Sequence, residues 1–205
     1  MDSYTTVQHA SVFEYEDRKS VFIGECVPVS TEEEALAFIS HIKKKYSDAR
    51  HHVYAYVLRD NSLMRFSDDR EPQGTAGMPV LDAIRKNGCT NAAIVVVRYF
   101  GGTLLGTGGL VRAYSGAALG ALKKAEIITY DIYSTYEIEC SYSDFQKLGS
   151  AFAATAFRQS AVDYADVIRI SGSVQRDVGP ELEDKLTQLT NGRIIVRKTG
   201  EKYDF

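Results

Sequence analysis

The sequence predicts an α+β fold in two domains, residues 1–130 and 131–205, the second of them a ferredoxin-like βαββαβ unit. Three observations carry this. Strand-like runs such as "AAIVVVRYF" and "STYEIECSY" alternate with segments of helical periodicity. Thr129–Ser134 forms a seam between two such sets. Beyond the seam the elements fall in the order β-α-β-β-α-β, that of the split βαβ unit.

From the N-terminus, Ser3–Val29 is rich in Val, Tyr, Thr and Phe and reads as two or three antiparallel strands, broken by a charged turn near Glu16–Lys19. Thr31 and Glu34 have capping-box spacing. Ala35, Leu36, Ile39, Ile42 and Tyr46 recur at helical intervals, giving a helix over about Thr31–Tyr46. Lys43-Lys44-Lys45 then oppose the helix dipole in the last turn. "HHVYAYVL" is a strand with His52, Tyr54, Tyr56 and Leu58 on one face and His51, Val53, Ala55 and Val57 on the other. Ser67–Pro79 is a loop by its Gly, Pro and Asp content. "PVLDAIRKNG" is a short helix, with Pro79 at its first position and Gly88 at its stop. The apolar run Ala92–Phe100 suits a central strand covered on both faces. A long helix follows over about Gly108–Ala125.

In the second domain, "STYEIECSY" is a strand and "DFQKLGSAFAATAF" a helix capped by Ser143 or Asp144. "SAVDYADVIRISGSVQR" holds two strands or a hairpin. A helix then runs from Pro180 to Asn191-Gly192, and "RIIVRK" is the last strand.

Bulk properties exclude several function classes. Residues 1–130 hold 15 Lys+Arg against 15 Asp+Glu, and residues 131–205 hold 9 against 12. Neither part is strongly basic, so any nucleic-acid contact must come from a local patch. Cys26, Cys89 and Cys140 are odd in number and far apart. That spacing offers neither a disulfide framework nor a zinc knuckle. No secretory signal and no apolar run of about 18 residues is visible, so a cytoplasmic protein without membrane contact is expected.

The stretch "RYFGGTLLGTGGLVRAY" carries the chemistry. Gly101, Gly102, Gly106, Gly108 and Gly109 leave backbone N–H groups unshielded between a strand and a helix, where anions gather. Thr107 is placed to cap that helix. Gly101 and Gly106 have P-loop spacing, but Thr107-Gly108 stands where Lys-Ser/Thr is required, so no nucleoside-triphosphate site is expected. Gly106-Thr107-Gly108 begins a dinucleotide fingerprint that Val111 breaks. The competing reading is close packing. Gly109, Ala113, Ala117 and Ala121 form a smooth helical stripe that Gly116 and Gly120 widen. Arg98, Tyr99 and Arg112 flank the glycines, with Ser115 and Lys123 on the Arg112 side of the helix. Two guanidiniums, an aromatic ring and free N–H groups suit a phosphodiester backbone with a stacked base. Alternatively Arg98 pairs with Asp68, Asp69 or Glu71.

"ARHHVYAY", "SDDREPQGTAGMPVL" and "VVVRYFGGTLLGTGGLVRAYSGAA" together resemble the IMPACT family, which includes the bacterial YigZ-like proteins. The resemblance covers nearly the whole chain and is tightest over Ala49–Ala118. Two positions depart from its pattern: Arg70 replaces Gly in Asp-Asp-Gly-Glu-Pro, and Val97 replaces Thr before Arg-Tyr-Phe-Gly-Gly. Arg70 therefore brings a charge to the loop and argues against a left-handed turn there. The resemblance implies that the first domain is similar to the second domain of ribosomal protein S5 and the fourth of elongation factor G. The second domain would be similar to the fifth, ferredoxin-like domain of that factor. Eukaryotic members restrain a starvation-activated kinase and carry an additional N-terminal domain. This chain begins its first strands near residue 3, so that role is not expected to carry over.

Two functions follow as expectations. The first is a non-catalytic protein that binds RNA or the ribosome and regulates translation, through Arg98, Tyr99, Gly101, Gly102, Gly106, Thr107, Gly108, Gly109 and Arg112. It needs no cofactor and no metal. The second is a metal-dependent hydrolase of a phosphate-bearing small molecule or nucleic acid, with Asp68, Asp69 and Glu71 on Mg²⁺ and His51 as general base. Against it, Asp68 and Asp69 are equally suited to capping a turn or pairing with Arg98 and Arg112.

Overall fold

The computed structural model describes residues 3–59 and 63–205. Among these, five α-helices and two antiparallel sheets make an α+β fold. The chain divides into two compact units, Tyr4–Thr129 and Tyr130–Phe205, the second also holding Ser3.

The first unit is built on β2 (Ser11–Asp17), β3 (Ser20–Pro28), β6 (Ala92–Tyr99), β4 (His51–Val57) and β5 (Met64–Ser67), in that spatial order. The turn between β2 and β3 places Arg18 and Lys19 at φ +46° and +65°, as a two-residue hairpin turn of the primed type requires. The strand β5 arises inside a segment that carried no strand signal. β6 shows why its sequence is apolar throughout. Ile94 and Val96 pack with Phe22 and Val53 beneath α2 (Gly77–Lys86) and α3 (Gly106–Lys124). Ala93, Val95 and Val97 pack on the other face beneath α1 (Glu32–Lys45).

α1 is capped as its sequence predicts: Thr31 Oγ1 accepts from Glu34 N at 3.2 Å. Glu34 reaches back one residue further than the usual box, to Ser30 N at 2.6 Å. Three expectations about helix starts are corrected. α3 begins at Gly106, two residues early, and Leu105 stands at its cap position with no side-chain cap bond, so Thr107 is not the cap. The backbone reason is Gly106 at φ +70°, which turns the chain into the helix before Thr107 is reached. α2 begins at Gly77, so Pro79 is its third residue, not its first. α4 (Tyr142–Thr155) is capped by Ser141, whose Oγ accepts from Asp144 N, rather than by Ser143 or Asp144.

The small-residue stripe of α3 does bring it close to the sheet. A Cβ at Gly24 in β3 would stand 2.6 Å from the Ala117 carbonyl oxygen, and one at Gly120 would enter the Phe13 ring.

The remaining strands are β1 (Tyr4–Val7), β7 (Ile127–Cys140), β8 (Arg158–Tyr164), β9 (Ile168–Gln175) and β10 (Ile195–Asp204), with α5 (Gly179–Thr190) before the last. β1 pairs with β7, where Thr5 Oγ1 lies 2.9 Å from Thr129 Oγ1. In the second unit the spatial order is β10-β7-β9-β8. Ile138, Ile168 and Ile170 of its sheet form a core with Leu148 of α4 and Leu182 and Leu186 of α5. Among the described residues no helix is long and apolar enough to cross a membrane.

Candidate functional site

The signature stretches converge on one carboxylate. The loop after β5 closes when Glu71 N donates to Asp68 O at 2.9 Å. Asp69 and Arg70 both take left-handed backbone, φ +40° and +69°. The tight turn therefore persists although Arg70 stands in the glycine place, contrary to expectation. Non-Gly residues adopt this region at a cost of about 1 kcal/mol, so the surrounding bonds hold it. The turn drives the Glu71 side chain inward, where only 4% of it stays exposed.

There Glu71 Oε1 accepts from Arg98 Nη1 at 2.6 Å and from the Tyr114 hydroxyl at 2.8 Å. Burial, then the nearby carboxylate, pushes the Tyr114 phenol far above its ordinary range. Strand register explains the meeting: Arg98 sits opposite Phe22 of β3 and opposite His51 of β4. The Arg98 guanidinium lies 5.5 Å from the centroids of both the Phe22 and the Phe100 rings. Its Nε has no hydrogen-bond partner among the described residues. His51 Nδ1 lies 2.8 Å from Asp69 O. A carbonyl only accepts, so Nδ1 carries the proton and Nε2 faces Glu71 Oε1 at 3.9 Å.

This geometry redistributes the expected roles. Arg98 is buried and paired with Glu71, so its charge is turned inward rather than toward a phosphate. Tyr99 is half-buried, and its hydroxyl donates to Asp48 at 2.7 Å, a bond that raises its pKa to about 12. The carboxylates proposed for Mg²⁺ do not share a site. Asp68 takes the N–H groups of Gly74, Ala76 and Gly77 at 3.0, 3.1 and 2.7 Å, tying the loop to the start of α2. Asp69 Oδ2 accepts from His52 N at 2.6 Å. Among the described residues no group of three or more His, Cys, Asp or Glu side chains is placed to hold a metal ion.

The glycines divide as well. A Cβ at Gly101 would run into the Lys19 carbonyl, and one at Gly109 would stand 2.9 Å from Leu105 Cβ, so these two serve packing. Gly102, Gly106, Thr107 and Gly108 face outward. Arg112 is exposed, and its Nη1 lies 3.9 Å from where a Cβ on Gly108 would stand, over the start of α3.

Around this centre stands a rim of cations that sequence reasoning mostly missed. Arg18, Lys19, Arg50, Arg70 and Arg112 are all exposed. Two of them donate only to carbonyls, Arg18 to Leu104 O at 3.3 Å and Arg70 to Arg50 O at 3.0 Å. Among the described residues none of the five makes an ion pair. Phe100, 52% exposed, and Leu104, 81% exposed, lie among them. Arg112 and the charge of Arg70 beside the loop were visible beforehand. Arg18, Lys19 and Arg50 are scattered along the chain, and the β2–β3 turn and the start of β4 bring them to this end.

The Impact N-terminal domain matches residues 18–122, more than half the chain and the whole of this site. The chain belongs to the IMPACT family. A second match, to a domain of unknown function called DUF1949, covers residues 138–193. Among family relatives, YvyE of Bacillus subtilis is 33% identical over 98% of this chain and 93% of its own length. A Haemophilus influenzae member is 35% identical over 96% and 97%. Human Protein IMPACT matches over 94 residues only, 44% of this chain and 29% of its own, at 32% identity. A solved crystal structure of a hypothetical protein, 30% identical, superposes over 97% of this chain and 98% of its own with a TM-score of 0.61. Within the IMPACT pattern, then, the stretches carrying His51, Glu71, Arg98 and Tyr114 meet to build one buried cluster, and the residues beside them build the rim.

Proposed function

We propose that this IMPACT family chain is a non-catalytic cytoplasmic protein that binds RNA or the ribosome and thereby regulates translation. The observation that carries the reading is the rim: five exposed cations without acidic partners at one end of a unit whose overall charge is balanced. Such a patch attracts a polyanion by releasing its counterions. The outward N–H groups of Gly106, Thr107 and Gly108, with Arg112 above them, add an anion-friendly helix start. The relevant contacts are thus Arg18, Lys19, Arg50, Arg70, Arg112 and the outward glycines, with Arg98 and Tyr99 supporting them from beneath. The domains run 1–130 and 131–205. The first is of the kind of the second domain of ribosomal protein S5. The second is ferredoxin-like, a reading that its β10-β7-β9-β8 order supports.

The test is fluorescence anisotropy with labelled RNA across a salt series. Arg70→Ala/Arg112→Ala is expected to weaken binding and to flatten the log–log salt slope by about 1.4, the share of two phosphate contacts on a single strand. Unchanged affinity and slope would remove the rim from the function.

A further inference from the structure

We infer that Phe100 is a stacking platform for an unpaired base, so that the rim takes single-stranded RNA in preference to duplex. The inference rests on the RNA-binding reading above and names the class of RNA.

Placement comes first. His51, Arg98 and Tyr114 each reach the Glu71 carboxylate within 4 Å. Arg50 and Arg70 directly precede members of this cluster, Phe100 follows Arg98 by two residues, and Arg112 precedes Tyr114 by two. Two residues of chain span at most about 7 Å. Arg50, Arg70, Phe100 and Arg112 therefore lie on the chain segments that converge at Glu71, and Arg70 Nη2 bonds the Arg50 carbonyl. An exposed ring thus stands near cations that make no ion pair among the described residues.

The ring is also held. The Arg98 guanidinium lies 5.5 Å from the centroid of this ring and from that of the buried Phe22 ring, and Glu71 holds it through Nη1. Phe22 in turn packs edge-on against Tyr114, centroids 5.1 Å apart. The guanidinium thus lies against both a buried ring and Phe100, which is 52% exposed. A freely rotating surface phenylalanine would lose entropy on stacking; this one is already ordered by its cation–π contact. Every base has a π face, and stacking on an aromatic side chain is how single strands are bound without sequence preference. In a duplex those faces are taken up by neighbouring bases, so a duplex can use the cations but not the ring. The charge of the rim thus selects a phosphodiester, and Phe100 selects an unpaired one.

The chain contains no tryptophan, so Phe100→Trp supplies a single fluorescent reporter at the platform. With an unstructured 12-nucleotide RNA, its emission is expected to be quenched, and with a duplex of the same sequence to change little. Phe100→Ala is expected to weaken single-strand binding at least about fivefold, leave duplex binding unchanged, and be rescued by Phe100→Tyr. Single-strand affinity unchanged in Phe100→Ala, while Arg70→Ala/Arg112→Ala still loses affinity, would overturn the stacking and leave the rim standing. A wild-type protein that binds neither RNA would overturn both.

Discussion

Each unit holds a buried carboxylate paired with an arginine far along the chain, and the two carboxylates differ in what stands opposite. Glu71 is 4% exposed, and its partner Arg98 is 8% exposed. Asp144 is equally buried, yet its cations Arg193 and Lys147 are 52% and 46% exposed. Arg193 meets Asp144 through two nitrogens, Nη2 at 2.7 Å and Nε at 3.1 Å, with Lys147 and Ser141 beside them. Both pairs join segments far apart in the chain. Only the first is sealed, and among the described residues the exposed cations Arg18, Lys19, Arg50, Arg70 and Arg112 of its unit make no ion pair. Sealing turns the pair into a fixed support; leaving the neighbours unpaired makes the surface above it available. The pin and the exposed Arg50, Arg70 and Arg112 beside it are therefore carried by the same three sequence stretches.

The sharpest way to break this contrast is Arg98→Met. It leaves Glu71 buried without a counter-charge, a change that costs about 3–5 kcal/mol. Urea unfolding with hydrogen exchange mapped to residues 4–129 would show it. Arg193→Met, whose charge already faces water, is expected to cost much less. Glu71→Leu/Arg98→Met together are expected to recover most of the loss, because no isolated charge then remains. Equal losses for Arg98→Met and Arg193→Met would mean that sealing makes no difference.

Next in size is a pair of glycine substitutions within the loop. Gly101→Ala drives a methyl into the Lys19 carbonyl, which cannot swing away as a side chain would. Overpacking of this kind costs about 1–3 kcal/mol. Gly108→Ala meets nothing closer than Arg112 Nη1 at 3.9 Å and gains helix propensity, up to about 1 kcal/mol. Thermal melts of the two variants should move in opposite directions. A stabilising Gly101→Ala would remove the close-approach account of that glycine.

The sequence carried the architecture where local rules decide it. Thr31 and Glu34 cap α1, Pro180 opens α5, and Asn191 ends it in left-handed backbone. The continuous run of β6 correctly implied cover on both faces. Starts governed by backbone rather than side chain were misread: Gly106 turns the chain before Thr107 can cap it. At the site, the alternative pairing of Arg98 with Glu71 was open from composition alone. Which way Arg98 faced was not, because strand parity fixes the face but only packing of α2 and α3 says which face is sealed. Phe100 and Phe22 carried no signal. Their importance comes from lying against one guanidinium, a relation that the β3–β6 register makes between Phe22 and Arg98, residues far apart in sequence.

Asp144→Asn probes the open counterpart. Hydrogen bonds from Arg193, then from Lys147, hold the Asp144 carboxyl well below its usual range. The folded form thus binds its proton more weakly than the unfolded chain, whose Asp titrates near pH 4 (about 3.9). The carboxylate contributes its full stability above about pH 5 and loses it as acid drives protonation below that value. Asp144→Asn should melt lower than wild type at pH 7, and the gap should narrow steadily as the pH falls below about 4. A gap that stays constant over that range would show that Asp144 acts by shape and not by charge.

The smallest effect separates stability from binding at one residue. Arg70 holds φ +69° in a place where the family pattern has glycine. Its Nη2 donates to Arg50 O at 3.0 Å in a bond exposed to water. Arg70→Gly removes the left-handed strain, a gain of about 1 kcal/mol, or about 4 °C in melting temperature for a unit of this size. It also removes one cation from the rim, so RNA affinity should fall as stability rises. Movement of both quantities in the same direction would tie Arg70 to the pin. Movement in opposite directions would place it on the surface above, where a strained arginine is retained for its charge.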